Sequence, residues 1–332
     1  MHLPLPIRIL LLPLSWVYLA GVQFKAWCYA QGWLEIRRLQ GAVISVGNLT
    51  VGGTGKTPMV LWLAEKFLAE GRSVAILSRG YRGEHGSSDE VELLRQRLGG
   101  RARFGIGADR FREGSRLERS APVDVFLLDD GFQHQRLARD LDLVMLDGSK
   151  NLKNEWLLPA GPLREPPGAC RRADLLVVTR KFDEAPLKSR DSDSSRIFYA
   201  ETRLLGFRKF ASASDPAAPG EIGPGPFYAF CGIGNPQAFV DDLRRWNVPV
   251  AGSRKFRDHH RYSAADVREI AAAALAAGAA GLLTTEKDEQ NLRAADFGGL
   301  PVYIAVIDLV IRPDGFRPVL ERLLSERRAA KR

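Results

Sequence analysis

The sequence predicts an α/β fold in two domains, preceded by an apolar helix. Three observations predict it. Short β-branched runs alternate with stretches that carry apolar residues at helical spacing. This alternation gives way to Ser, Asp, Pro and Gly from about Asp183 to Pro226 and then resumes. A glycine-rich turn, Gly52-Gly-Thr-Gly-Lys-Thr57, lies between a strand-like run, Gly41 to Val46, and a helical pattern, Met59 to Leu68. Together they describe a P-loop NTPase-type three-layer domain joined by a hinge to a second, smaller α/β domain. The expected boundaries are 1–38 for a membrane-associating helix, 39–182 for the P-loop core, 183–226 for the linker and 227–332 for the C-terminal domain.

The N-terminal element is the unusual one. Ile9 to Phe24 carries no charge, and Trp16, Tyr18, Phe24, Trp27, Tyr29 and Trp33 crowd in and beyond it. Interrupted by Pro13, this run is shorter than the ~20 apolar residues a spanning helix needs. No small-x-small cleavage site follows, which argues against a signal peptide. Aromatics beside Arg8, Lys25, Arg37 and Arg38 suit a helix lying in the interface of an anionic membrane. The alternative is a helix buried on its own domain.

In the glycine-rich turn, Gly52, Gly53 and Gly55 let backbone N–H groups close on an anion, and the helix that follows adds its positive end. Lys56 is placed to reach the β/γ-phosphates and the Thr57 hydroxyl to meet Mg²⁺. The nucleotide-binding stretch is therefore Asn48, Thr50, Val51, Gly52, Gly53, Thr54, Gly55, Lys56, Thr57 and Pro58. Thr50 stands where the general pattern has glycine. Pro58 costs nothing in a first helical turn.

Strand-like runs follow at Ser73–Ser78, Val123–Leu128, Leu141–Leu146 and Asp174–Thr179, which with Gly41–Val46 predict a parallel sheet of about five strands. Arg79-Gly-Tyr-Arg-Gly83 at the end of the second is either a phosphate or sugar contact or a solvated loop. Asp129-Asp130 at the tip of the third resembles a Walker B site, one carboxylate for Mg²⁺ and one for its waters; an Asp-Gly turn is the alternative. Leu157 to Pro166 is too rich in Pro and Gly for regular structure. Its Arg164 and Glu165 read either as an arginine on phosphate with a glutamate near Mg²⁺, or as an exposed pair. Lys181-Phe-Asp183 resembles a guanine-reading motif, but Arg180 precedes it where Asn or Thr is required, so GTP is discounted.

In the second domain Phe227–Cys231 reads as a strand, Gln237–Trp246 and Ala264–Ala277 as helices, and Gly281 starts another strand. Gly232-Ile-Gly lacks a third glycine and an acid, so a dinucleotide site is not expected. His259-His260 lies on a loop, either solvated or catalytic.

Composition bounds the rest. The chain has 332 residues, 45% hydrophobic and 26% charged, which excludes disorder. A net charge of +9 favours an anionic partner: nucleic acid, anionic lipid or a phosphorylated substrate. Cys28, Cys170 and Cys231 form no C-x-x-C pair, so neither a zinc site nor a disulfide framework is expected.

The chain resembles the tetraacyldisaccharide 4′-kinases of Gram-negative bacteria over nearly its whole length. The resemblance rests on Gly47–Pro58, Ser78–Tyr81, Asp129–His134, Leu158–Gly161 with Leu163–Pro166, Gly232–Pro236, Asp258-His259 and Thr285–Asp288, in that order. It implies a peripheral enzyme of the cytoplasmic face of the inner membrane. Such an enzyme moves the ATP γ-phosphate to the 4′-hydroxyl of a tetraacylated disaccharide 1-phosphate, giving lipid IVA, with Mg²⁺ as cofactor. It also implies two α/β/α domains with the active site in the cleft. Carried over by motif, Asp89 is the base, working with His259, while Lys56, Asp129, Asp130 and Arg164 serve catalysis. Thr57, Asp130 and Glu165 are the expected metal ligands, and His134 joins the nucleotide site. The family's usual Gly-Asp-Glu is Ser88-Asp89-Glu90 here. Two rivals differ in class. A membrane-associated P-loop ATPase switch often carries a lysine early in the loop, where this chain has Val51. A nucleic-acid-binding NTPase rests on charge alone, since the basic residues are scattered and no aromatic-lined RNA motif is present.

Overall fold

Runs of Val, Ile and Leu form the strands they predict, and they are buried on both faces, as parallel strands covered by helices must be. In the computed structural model the described residues are 4–80, 88–180, 196–212, 214–292 and 297–329. Tyr81 to Gly83 and Lys181 to Asp183, singled out in the sequence, lie outside them. The chain divides into two compact units: Met1–Arg82, Arg97–Glu201 and Ile311–Arg332 in the first, Gly83–Gln96 and Thr202–Val310 in the second. Neither unit is contiguous, unlike the boundaries expected from composition.

The first unit holds β1 (Ala42–Asn48), β2 (Val74–Ser78), β3 (Arg103–Ile106), β4 (Val125–Asp129), β5 (Leu141–Asp147), β6 (Leu175–Thr179) and the start of β7 (Ile197–Lys209). Their order is β3-β2-β4-β1-β5-β6-β7, with parallel pairing throughout. β3 and β7 are additions to the five expected strands. β7 falls within 183–226, the stretch read as linker. Around this sheet are α1 (Leu5–Ala30), α2 (Lys56–Ala69), α4 (Arg110–Ser120) and α8 (Phe316–Ala329). α3 (Asp89–Leu98) begins in the second unit and ends in the first.

Register positions the chemistry. Val46 of β1 lies opposite Asp129, so the turn after β1 and the acidic tip of β4 are neighbours. Gly47 permits that approach: a Cβ there would meet the Phe132 Cβ at 2.5 Å and its backbone nitrogen at 2.8 Å. Phe132 packs with Leu49, Val144, Leu163 and Ala173 into a core behind the glycine-rich turn.

In the second unit β7 and β11 (Val302–Arg312) are followed across the sheet by β10 (Gly281–Thr285), β8 (Phe227–Cys231) and β9 (Val250–Lys255). Pairings of β11 with β10, β10 with β8, and β8 with β9 are parallel. α5 (Pro236–Arg245), α6 (Ala264–Ala276) and the four-residue α7 (Glu286–Glu289) complete it. Ser263 caps α6 in a reciprocal box with Asp266. Phe230, Tyr262, Ile270 and Leu282 fill one core, and Phe227, Phe239, Leu243 and Leu283 another.

Candidate active site

The turn after β1 is held from three sides. Gly52 and Gly55 have φ of +112° and +89°, a region glycine enters without penalty. Lys56 and Thr57 are the first two residues of α2, and Pro58 follows where its missing N–H breaks no helical bond. Asn48 Nδ2 donates to Thr54 Oγ1 at 3.0 Å and to the Gly52 carbonyl at 3.4 Å. From the end of β6, Thr179 Oγ1 donates to the Thr54 carbonyl at 3.3 Å, and the Arg180 guanidinium donates to the Gly53 carbonyl while pairing with Asp147. The proline-rich loop closes the third side: Thr50 bridges Leu163, the Val51 N–H donates to the Pro162 carbonyl at 2.8 Å, and the Arg164 N–H to that of Leu49 at 2.7 Å.

That last contact fixes Arg164, whose Nη1 stands 2.7 Å from both carboxylate oxygens of Asp130. Lys56 Nζ lies 3.5 Å from Asp130 Oδ1. Asp130 itself has φ of +52°, which an Asp tolerates in a turn. Burial alone would raise its carboxyl pKa, but the charges of Lys56 and Arg164 outweigh that and hold it below the ordinary range. Asp129 is buried at the end of β4. Lys56, Asp130 and Arg164 thus form a cation, anion, cation triad on the glycine-rich turn.

Two neighbours complete the first-unit set. Burial, with Arg110 adding to it, lowers His134 to about 4, so its ring is neutral at pH 7. The ring's Nδ1 sits 3.5 Å from an Arg110 nitrogen and must accept there, which leaves the proton on Nε2. Glu165 is buried, and Arg172 grips both its oxygens, at 2.8 and 3.2 Å. Gln133 Nε2 joins Glu165 at 3.1 Å to the Asn48 carbonyl at 3.0 Å. Gln133, Thr179, Arg180 and Arg172 were not singled out from sequence as site residues. Only Gln133 lies in a quoted motif, Asp129–His134.

α1 docks on the same proline-rich loop. Ser15 Oγ donates to the Leu157 carbonyl at 3.1 Å and accepts from the Ala160 N–H at 3.2 Å. Tyr18 Oη donates to the Arg164 carbonyl at 3.0 Å, and Arg8 Nε to that of Ala160 at 3.2 Å. The helix runs unbroken through Pro13 for 26 residues, about 39 Å. By length and composition it could cross a bilayer, and the interruption expected at Pro13 is corrected: one exposed proline does not end a helix whose other turns hold. Burial in its own domain is corrected too, because only Ser15 and Cys28 of α1 are buried while Leu10 is 78% and Trp16 74% exposed.

The second unit carries the other group. His259, at a φ of +60°, donates its backbone N–H to the Gly232 carbonyl at 3.0 Å. Its Nδ1 lies 2.8 and 2.9 Å from the two oxygens of Asp89, the first residue of α3. Asp89 is 6% exposed at its side chain and also accepts from Asn291 Nδ2 at 3.2 Å. Burial opposes its charge, but the hydrogen bond from His259 and the charge of Lys287 prevail and lower its pKa. The same hydrogen bond raises that of His259. Two residues 170 apart in sequence thus form one acid–base pair.

A family model described as tetraacyldisaccharide-1-P 4′-kinase matches residues 7–325 of this chain. The chain belongs to that family. Membership makes it a kinase. A tetraacyldisaccharide 4′-kinase of Geobacter metallireducens is 37% identical over 337 aligned positions, covering 95% of this chain and 98% of that protein. One from Geobacter sulfurreducens is 38% identical, covering 91% and 90%. Among solved structures, LpxK from Aquifex aeolicus in complex with ATP aligns with a TM-score of 0.73 at 28% identity, covering 96% of this chain and 99% of that one. The expected kinase residues fall into two groups: Asn48, Thr50–Pro58, Asp129, Asp130, His134, Arg164 and Glu165 in the first unit, Asp89 and His259 in the second.

Proposed function

We propose that this kinase transfers the γ-phosphoryl group of ATP to the 4′-hydroxyl of a tetraacylated glucosamine disaccharide 1-phosphate, giving lipid IVA, while lying peripherally on the cytoplasmic face of the bacterial inner membrane. The observation that carries the reading is the Lys56, Asp130 and Arg164 triad against the glycine-rich turn, in a chain matched by the kinase family over residues 7–325. Phosphoryl transfer leaves little covalent work for a protein, so positioned cations supply most of the stabilisation. Lys56 and Arg164 are those cations, and phosphate oxygens compete with Asp130 for them.

The oxygen donors fit Mg²⁺. Thr57 presents a hydroxyl from the first turn of α2, and Asp130 a carboxylate kept ionised by its neighbours. Such an ion would rely on nucleotide phosphates and waters for its remaining ligands. When bound it would neutralise phosphate charge. Glu165, with Arg172 across its oxygens, serves this set through Gln133.

The acceptor is a hydroxyl, a weak nucleophile that a positioned base improves about 10²–10⁴-fold. Asp89 takes its proton, and His259 Nδ1–H holds the carboxylate in orientation. Peripheral attachment is supported by α1: its polar residues are tied to the proline-rich loop, while Leu10, Leu14, Trp16, Val17 and Phe24 are exposed. A contiguous apolar patch of this kind marks an interaction surface, and tryptophans suit the headgroup layer. Neither nucleic acid nor a protein partner is required. The test is ADP release by the purified protein: it should depend on the disaccharide lipid and ignore added RNA. Turnover independent of the lipid contradicts the reading.

A further inference from the structure

The Thr285–Asp288 stretch reaches both members of the acid–base pair, Asp89 directly and His259 through Gly232. Thr285 caps α7, accepting from the Asp288 N–H at 3.2 Å and donating to its Oδ2 at 2.6 Å. Asp288, 1% exposed, accepts at Oδ1 from the Gly232 N–H and from Tyr262 Oη, both at 2.7 Å. The Gly232 carbonyl in turn takes the His259 N–H. Asp288 therefore fixes the backbone that presents His259.

Lys287, the preceding residue, points to the other member. Its Nζ lies 3.0 Å from Asp258 Oδ1, 3.1 Å from Glu90 Oε1 and 4.0 Å from Asp89 Oδ2. An ammonium has three donors and no more. Among the described residues three carboxylates face this one, and it is only 16% exposed. Among the described residues, the groups around Asp89 are Glu90 on its own helix, His259 and Asp258 from the loop after β9, and Lys287 and Asn291 from α7 and the turn beyond it.

We propose that Lys287 is a positioning residue for the Asp89 and His259 pair: its ammonium balances three crowded carboxylates and so keeps Asp89 as an anion turned toward His259. This rests on Asp89 being the base. Burial lowers the proton affinity of a lysine, but Glu90, Asp89 and Asp258 reverse that for Lys287, which stays charged. Without it, Asp89 faces Glu90 and Asp258 uncompensated, and like charges push a carboxyl pKa up.

The test compares Lys287→Met, Lys287→Arg, Glu90→Gln and Asp89→Asn by kcat, by KM for ATP and for lipid, and by the pH profile of kcat. Lys287→Met should lose kcat mainly on the acid side, about tenfold for each unit of pKa by which the limb moves, and least at neutral pH. Its acid limb should move to higher pH, raising the pH should recover activity, and KM for ATP should not change. Lys287→Arg should restore most of the rate. Glu90→Gln frees the ammonium for Asp89 and should move the acid limb the other way, which decides the matter if Lys287→Met does not fold. On an Asp89→Asn background, Lys287→Met should add little. An acid limb unmoved in Lys287→Met and Glu90→Gln, or a loss confined to KM for lipid, overturns the proposal. Full activity in Asp89→Asn overturns instead the assignment of the base.

Discussion

At the scale of single residues, what sequence discloses depends on whether the partners are neighbours in the chain. Lys56, Thr57 and the Asp129-Asp130 pair are legible because a glycine-rich turn between strand and helix, and a carboxylate at a strand tip, have few other uses. Asn291 stands 202 residues from Asp89, and nothing in its local sequence marks it. Asp89 and His259 came only through family motifs, because a loop histidine and a helix-start aspartate each have commoner structural uses. Their pairing has a consequence for stability. Asp89 is lowered from the ordinary 3.8, so its contribution is present above that value and is lost as pH falls through the lowered one. His259 is raised from 6.5, so its contribution is full below 6.5 and is lost as pH rises through the raised value. The melting-temperature difference between wild type and His259→Asn should therefore be greatest between 3.8 and 6.5 and shrink on both sides. A difference that keeps growing above neutrality would refute the pairing.

At the scale of elements, periodicity located β1, α2, β8, α5, α6 and β10 to within a few residues, since each has a clear apolar face or run. It passed over β7: Ile197-Phe-Tyr-Ala200 has strand-like side chains, but the Ser- and Asp-rich stretch ahead of it sets the composition of the whole segment. α1 is legible as an N-terminal helix within 1–38, but Pro13 does not interrupt it as the sequence suggests. The two faces of α1 divide its work. Leu10→Ser with Trp16→Ser removes only exposed apolar surface, so liposome flotation should weaken and KM for lipid should rise more than KM for ATP, with melting unchanged. Tyr18→Phe removes the hydrogen bond to the Arg164 carbonyl, worth about 1 kcal/mol, and should lower kcat while flotation persists. Equal flotation of the Leu10/Trp16 variant and the wild type would remove α1 from the membrane.

At the scale of the whole molecule, the order of motifs along the chain was legible, and the units were not. α3 opens in one unit and closes in the other, and the C-terminal helix α8 returns to the first unit, where Phe316 packs against Trp62 and Phe198. No boundary read from composition reveals such returns, because they depend on contacts between segments far apart in sequence. Net charge likewise named anions as a class without choosing one. In the reaction proposed above, the first unit would supply Lys56, Arg164 and Asp130 for the phosphate donor, and the second Asp89 and His259 for the hydroxyl. Transfer of radiolabelled γ-phosphate from ATP to a tetraacylated disaccharide 1-phosphate, by wild type and by Lys56→Ala, tests this most directly. Label should enter the lipid at the 4′ position with wild type, and the Lys56→Ala rate should fall on the order of 10²-fold or more while the fold persists. ATP hydrolysis without lipid labelling, or equal labelling by the two proteins, would contradict the account.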